Sequence, residues 1–262
     1  MNHGTLKLLG FAAVFLMLGC FAALFFYDDG HGGHSWQEPK RLHWQFDGMQ
    51  GTFDRQSAQR GLQVYREVCA SCHSLNRVAF RTLTDIGFSE AEVKALAREY
   101  SFTKINDEGD EVDRPGEPSD KFPDTYPNEQ AARFANNGAM PPDLSLMVKA
   151  RMDGANYVYS LLTGYSDAPG DMEMGEGMHY NPYFPGQQIA MAPPLLEGAV
   201  DYEDGTPATV DQMSRDIVHF LQWTAEPEME ERKRMGLKVL LFLAVMSSLL
   251  WIAKKRVWRS AK

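Results

Sequence analysis

The sequence predicts a mostly α fold with long irregular loops, a C-terminal transmembrane helix and a second apolar segment at the N-terminus. Three observations predict it. Apolar residues recur at helical spacing in short, capped segments. No stretch alternates with a period of two for long enough to claim a sheet. Apolar runs long enough to cross a bilayer stand near both ends, the C-terminal one by extending past Lys238 to Met235. The 262 residues suffice for one large domain or two small ones. A net charge of −9 argues against nucleic acid and suits a partner with a basic face.

Leu8 to Tyr27 carries no charge and reads as a retained membrane anchor. A cleaved signal peptide is the alternative, although no small-x-small site precedes Asp28. "MLGC", ending at Cys20, is a poor lipoprotein site. Gln56 to Val68 is an amphipathic helix with Leu62, Tyr65 and Val68 on one side. Ser89-Glu90-Ala91-Glu92 is a capping box that opens a second helix. Asn106 to Asp120 reads as an acidic, solvated loop. Asn128 caps a short helix to about Ala135, and Gly138 suits the left-handed position after its end. Ser145 to Ala150 and Asn156 to Leu162 read as helical pieces broken near Gly154.

Asp167 to Pro194 is rich in Gly, Pro and Met, an irregular stretch of the kind that usually carries function. Thr209 to Trp223 is a helix, and Pro227 marks a restart. Val239 to Ala253 is the second apolar block. Lys254, Lys255, Arg256 and Arg259 follow it, with Trp251 and Trp258 at the interface, as in a stop-transfer anchor with a cytoplasmic tail. The expected organisation is an N-terminal apolar segment (1–27), an exported domain (28–230) and a C-terminal anchor (231–262). Membrane lipid is therefore a partner.

Val68-Cys69-Ala70-Ser71-Cys72-His73-Ser74 carries the chemistry. Cys20 lies in the first apolar block, so Cys69 and Cys72 are the exported domain's cysteines. C-x-x-C-H is the attachment signature of a c-type haem: the thiols add across two vinyl groups, and His73 then points at the iron. A redox dithiol would need a thioredoxin-like βαβ setting, and zinc a further ligand pair; neither is in the sequence. Methionine opposite the histidine would make a closed, high-potential iron suited to electron transfer. Met140 in "AMPPDLS" and Met191 in "AMAPPLL" both sit beside prolines that stiffen the backbone. Spacing does not choose between them, and His179 and His219 are outside possibilities.

Taken in order, "VCASCHSL" (68–75), "NEQAARFANNGAMPPDLS" (128–145), "YVYSLLTGY" (157–165), "YNPYFPGQQIAMAPPL" (180–195), "DGTPAT" (204–209) and "FLQWTAEPEMEERKRMGLK" (220–238) resemble the cytochrome c1 family, the haem subunit of the cytochrome bc1 complex. The resemblance runs from about Trp44 to Trp258. It implies a mostly α, cytochrome c-like domain with one covalent haem c on Cys69 and Cys72. The implied iron ligands are His73 and Met191. Asn136, Ala139, Pro141 and Pro142 would form pocket wall, and Arg151 would face a haem propionate. Tyr157, Leu161, Leu162, Phe184, Ile189 and Pro194 would line the pocket.

The resemblance also implies an electron carrier without bond-making catalysis of its own, within a quinol–cytochrome c oxidoreductase. It would accept electrons from the Rieske iron–sulfur protein beside cytochrome b and reduce a cytochrome c. The domain would face the periplasm from a bacterial inner membrane. Some bacterial members steady the methionine loop with a disulfide; here packing and prolines must serve. Asp107 to Asp113 and Asp171 to Glu176 are acidic stretches that could dock a basic acceptor. Three other readings are a different anchored c-type carrier, a haem sensor, and an anchor whose haem is incidental. Co-purification with a b-type cytochrome, carbon monoxide binding, and turnover after loss of His73 would separate them.

Overall fold

The computed structural model describes residues 36–259. The N-terminal apolar run and Cys20 lie outside the described residues. Asp54 caps α1 (Arg55–Glu67) by accepting from the amides of Gln56 and Ser57. The helix buries Ala58, Gly61, Leu62, Val64 and Tyr65, which fall on one face at helical spacing. A 3-10 turn at Cys69–Ser71 follows, then a 3-10 helix at Phe80–Ile86 that sequence reading missed. The expected box opens α2 (Glu90–Ala97): the Ser89 hydroxyl accepts from the Glu92 amide, and the Glu92 carboxylate accepts from the Ser89 amide.

Two short hairpins correct the expectation of no sheet. In the first, β1 (Ser101–Ile105) pairs antiparallel with β2 (Glu111–Pro115), Ser101 opposite Pro115 and Ile105 opposite Glu111. The acidic stretch is thus part strand. Its turn is held by Asn106, whose side chain accepts from the amides of Glu108 and Asp110. In the second, β3 (His179–Tyr180) pairs with β4 (Gln188–Ile189). Both are too short for alternation to be legible.

Asn128 caps α3 (Glu129–Ala135). Gly138 takes a positive φ of 84° after it, as expected, and Asn137 does so as well at 49°. Leu144 to Ala150 forms a series of turns, not the expected helix. Instead α4 (Gly154–Leu162) starts at the glycine thought to break it. A Cβ at Gly154 would lie 2.7 Å from the Val148 carbonyl, so only glycine lets the chain turn so close. Thr209 caps α5 (Val210–Ala225), and after Pro227 the chain enters α6 (Met229–Arg259).

The core is built on α1 against α5. A Cβ at Gly61 would meet the Asp216 carbonyl at 2.1 Å, so the backbones approach where one helix has no side chain. Beside this crossing, fully buried Asp216 takes a forked pair from Arg60, at 2.9 and 3.1 Å. Arg60 also reaches Asp204 at 2.8 Å. Burial would lower the arginine's affinity for its proton, but the hydrogen bonds it donates to both carboxylates raise it above the ordinary value. Around them pack Leu62, Tyr65, Phe80, Phe122, Ile217, Phe220 and Trp223.

Among the described residues, one helix is long and apolar enough to cross a membrane, α6, with a hydropathy of 2.1. Its residues span about 46 Å at 1.5 Å each, against a hydrocarbon core of about 30 Å. Its first turns belong to the domain. Met229 is buried, Glu230 accepts from the Phe53 amide at 2.8 Å and pairs with Arg55 at 3.1 Å, and Lys233 donates to the Phe46 carbonyl at 2.6 Å. From Leu237 onwards the apolar side chains are exposed.

Gly61→Ala should force α1 and α5 apart. The expected loss is about 2–3 kcal/mol, seen as a fall in melting temperature of about 5–10 °C. A variant that melts with the wild type would show that the crossing is not as tight as drawn.

Candidate functional site

α1 delivers the C-x-x-C-H segment directly from its last turn. Hydrogen bonds then curl that segment: the amides of Cys72 and His73 both donate to the Cys69 carbonyl, at 3.1 and 2.9 Å. The Ser71 hydroxyl donates to the Val68 carbonyl at 2.9 Å, and the Tyr65 phenol to the His73 carbonyl at 3.0 Å. Burial keeps that phenol protonated, with its pKa pushed above the ordinary value.

Cys69 and Cys72 are free, not paired with each other. Burial and the neighbouring Cys72 push the Cys69 thiol up to about 12. A redox dithiol needs the opposite shift, toward thiolate. Among the described residues no group of three His, Cys, Asp or Glu could hold a bare metal ion. His73 is half-buried, and its Nδ1 lies 2.8 Å from the Pro142 carbonyl. A carbonyl only accepts, so Nδ1 carries the proton and Nε2 is left with its lone pair. Burial lowers the imidazole pKa and favours this neutral form, although the Pro142 bond opposes the shift.

The 136–145 segment is stitched to the motif from both sides. The Leu144 amide donates to the Ser74 carbonyl at 2.9 Å, and the Asn76 amide to Asp143 at 2.8 Å. Thr125 bonds back to Ser74 and to the Ala70 carbonyl. Asn136 closes α3, its side-chain amide donating to the Tyr126 hydroxyl and the Ala132 carbonyl. Ala139 and Pro141 are half-buried on this segment, whereas Met140 is exposed.

Met191 lies beyond the second hairpin. The Tyr165 hydroxyl, three residues past α4, donates to its carbonyl at 3.0 Å. Buried Asn181 ties the hairpin to α4, donating to the Leu161 carbonyl at 2.7 Å while accepting from the Tyr183 amide. Gln187 turns the chain with a positive φ of 60°. Ile189 is buried; Tyr157, Leu161, Leu162, Phe184, Met191 and Pro194 are half-buried. Arg151 is exposed at the start of α4, beside the Tyr157 phenol.

Among the described residues no hydrogen bond joins the Met191 loop directly to the cysteine segment. Cys69, Tyr157 and Leu162 instead pack against the same core cluster. The two histidines kept as alternatives have other surroundings. His219 is a core residue, edge-on to Trp44 and Phe46 at 5.6 and 5.1 Å. His179 pairs with Ile189 in the hairpin. Sequence reading missed Tyr65, Thr125, Tyr165 and Asn181, since each acts through a backbone carbonyl or amide far along the chain. Their one signal was position: Tyr165 and Asn181 fall within the blocks that carry the family resemblance.

Residues 44–261 match the model of the Cytochrome C1 family. The chain is 56% identical over 209 residues to the mitochondrial cytochrome c1 haem protein of Neurospora crassa, covering 79% of this chain and 63% of that protein. It thus spans less than two thirds of that relative's length. Against the mitochondrial cytochrome c1 haem protein of Saccharomyces cerevisiae it is 53% identical over 222 residues, 84% of this chain and 72% of the relative. Cytochrome c1 of Rhodospirillum rubrum is 47% identical over 236 residues, 84% of this chain and 87% of the relative.

Tyr165→Phe removes the donor to the Met191 carbonyl and nothing else. A loss of about 1 kcal/mol is expected, or about 2–4 °C in melting temperature, with faster proteolysis confined to residues 181–195. Unchanged proteolysis would show that the loop is held by packing alone.

Proposed function

The chain belongs to the cytochrome c1 family, and on that premise we propose that it is the haem-bearing electron carrier of a cytochrome bc1 complex. In this role it takes electrons from a Rieske iron–sulfur protein beside cytochrome b and passes them to a cytochrome c. The domain faces the periplasm of a bacterial inner membrane, with α6 as its anchor. The observation that carries the reading is His73: Nδ1 is committed to the Pro142 carbonyl, directly behind two unpaired thiols.

These residues fit haem c. Cys69 and Cys72 would hold it by thioethers, with His73 Nε2 and the Met191 sulfur as axial ligands. When bound, the group supplies a one-electron couple at iron. The protein's part is to tune and present it. The Pro142 carbonyl fixes the imidazole plane and raises its basicity. A Met191 thioether ligand would raise the potential, and the apolar side chains of Tyr157, Leu161, Leu162, Phe184, Ile189 and Pro194 would keep water from the bound group. Asn136, Ala139 and Pro141 would form the adjoining wall. Arg151, exposed just before the start of α4, would offer its fork to a propionate.

Of the two acidic stretches, Asp171 to Glu176 is the better docking surface. Gln188 ties it to β4, accepting from the Gly175 amide at 2.9 Å and donating to the Glu173 carbonyl at 3.1 Å. The backbone of this acidic segment is thereby tied to the strand that leads into Met191. The Asp107 to Asp113 carboxylates belong to the other hairpin.

Met191→Leu should lower the midpoint potential and remove the sulfur-to-iron charge-transfer band at the red edge of the visible spectrum. If Met140→Leu does so instead, the ligand assignment is wrong. Replacing Asp171, Glu173 and Glu176 by their amides should slow electron delivery to a basic cytochrome c and flatten its salt dependence. Stopped-flow rates across ionic strength check this, and the same change at Asp107, Asp110 and Asp113 should have the smaller effect.

A further inference from the structure

Outside the haem-site residues, the acidic chain also gathers positive charge. A cavity of about 770 Å³ is bounded by the last turn of α2, the base of the β1–β2 hairpin and the start of the Phe80–Ile86 helix. Arg81, Lys94, Arg98, Lys104 and Arg114 line it, and Glu117 is the one acidic side chain among the lining residues. The domain's other arginines are often matched: Arg55, Arg60, Arg66, Arg133, Arg215 and Arg232 all have carboxylate partners. Among the described residues, no ion pair is formed by Arg81, Lys94, Arg98 or Lys104.

The cleft is built, not a chance crowding of surface lysines. Arg114 is held in a fork by Asp120, at 2.6 and 2.7 Å, and that carboxylate also caps the floor by accepting from the Glu117 amide. Gly116 brings the floor against α2, where a Cβ would lie 2.3 Å from the Ala97 carbonyl. The Arg81 amide donates to the Pro118 carbonyl at 2.7 Å, fixing the third wall. A helix C-terminus favours nearby cations, which accounts for Lys94 and Arg98. It does not account for Arg81 or Lys104, which come from other elements.

Arg55 and Glu230 fix one end of α1 to the root of α6, and Arg66 joins the other end to Glu99, next to Arg98. The lining excludes an apolar ligand, since prolines are its only hydrophobic side chains and no aromatic ring offers a stacking face. Guanidinium forks among point-charge ammonium groups suit adjacent phosphate groups.

We propose that this cleft binds a compact polyphosphate anion, through two or more linked phosphates. Inorganic polyphosphate and the phosphate chain of a nucleotide share this chemistry. The test is calorimetric titration of the full haem-loaded chain in detergent at low ionic strength. The probes are tripolyphosphate, ATP and, at matched ionic strength, sulfate. Tripolyphosphate should bind one to one, with sulfate at least about tenfold weaker. The double variant Arg98→Gln, Lys104→Gln, at exposed positions, should lose about tenfold or more in affinity, while Arg41→Gln should not. Equal binding of ATP would identify the phosphate chain as the whole determinant, and tighter binding of ATP a nucleotide as the source. Equal heats for sulfate, or undiminished binding by the double variant with an unchanged circular dichroism spectrum, would overturn the proposal. Tighter binding of an oligoglutamate peptide would replace it with an acidic protein segment.

Discussion

The contact between Gly61 and the Asp216 backbone governs much of this molecule. It lets α1 and α5 cross without a side chain between them, and Arg60 then pairs with the buried Asp216 beside the crossing. A buried ion pair is weak evidence for stability, because desolvation offsets most of the attraction. Here its geometry also specifies register. A slide of one turn along either helix would strand the fully buried carboxylate without its guanidinium, so one alignment is favoured over its neighbours.

Two features follow from that alignment. The C-terminal end of α1 carries the cysteine and histidine segment, and α5 leads through Pro227 into the anchoring helix. The crossing therefore sets how far the thiols stand from the membrane. The anchor's first turns are bonded to residues 46–55 at the other end of α1. For the electron-carrying role proposed above, such a frame would keep donor and acceptor distances constant.

Around the site itself, polarity is supplied largely by the backbone. Pro142 orients an imidazole, the His73 and Met191 carbonyls receive tyrosine hydroxyls, and Ser74 and Leu144 join two segments. Backbone acceptors carry no charge, so they fix geometry without adding charge beside a redox centre. The surface divides its charge instead: the acidic 171–176 segment is tied through its backbone to β4, and unpaired cations collect beside α2.

Local chemistry was readable along the chain. The caps at Ser89 and Asn128, the glycine after α3, the apolar anchor and the thiol–imidazole spacing each depend on a few adjacent residues, so the sequence determined them by itself. It also exposed Met140 and Met191 as rivals, and physical reasoning from spacing could not separate them. Tertiary structure decided what depends on distant partners. It made a hairpin from the acidic stretch, replaced the expected helix at Ser145 with turns, and put His219 in the aromatic core. It also revealed Tyr165 as the hold on the Met191 loop and brought cations from three elements to one cleft. Those outcomes turn on which residues meet across the fold. A one-dimensional pattern records periodicity and neighbours but not contacts, which is why they became visible only once the chain was folded.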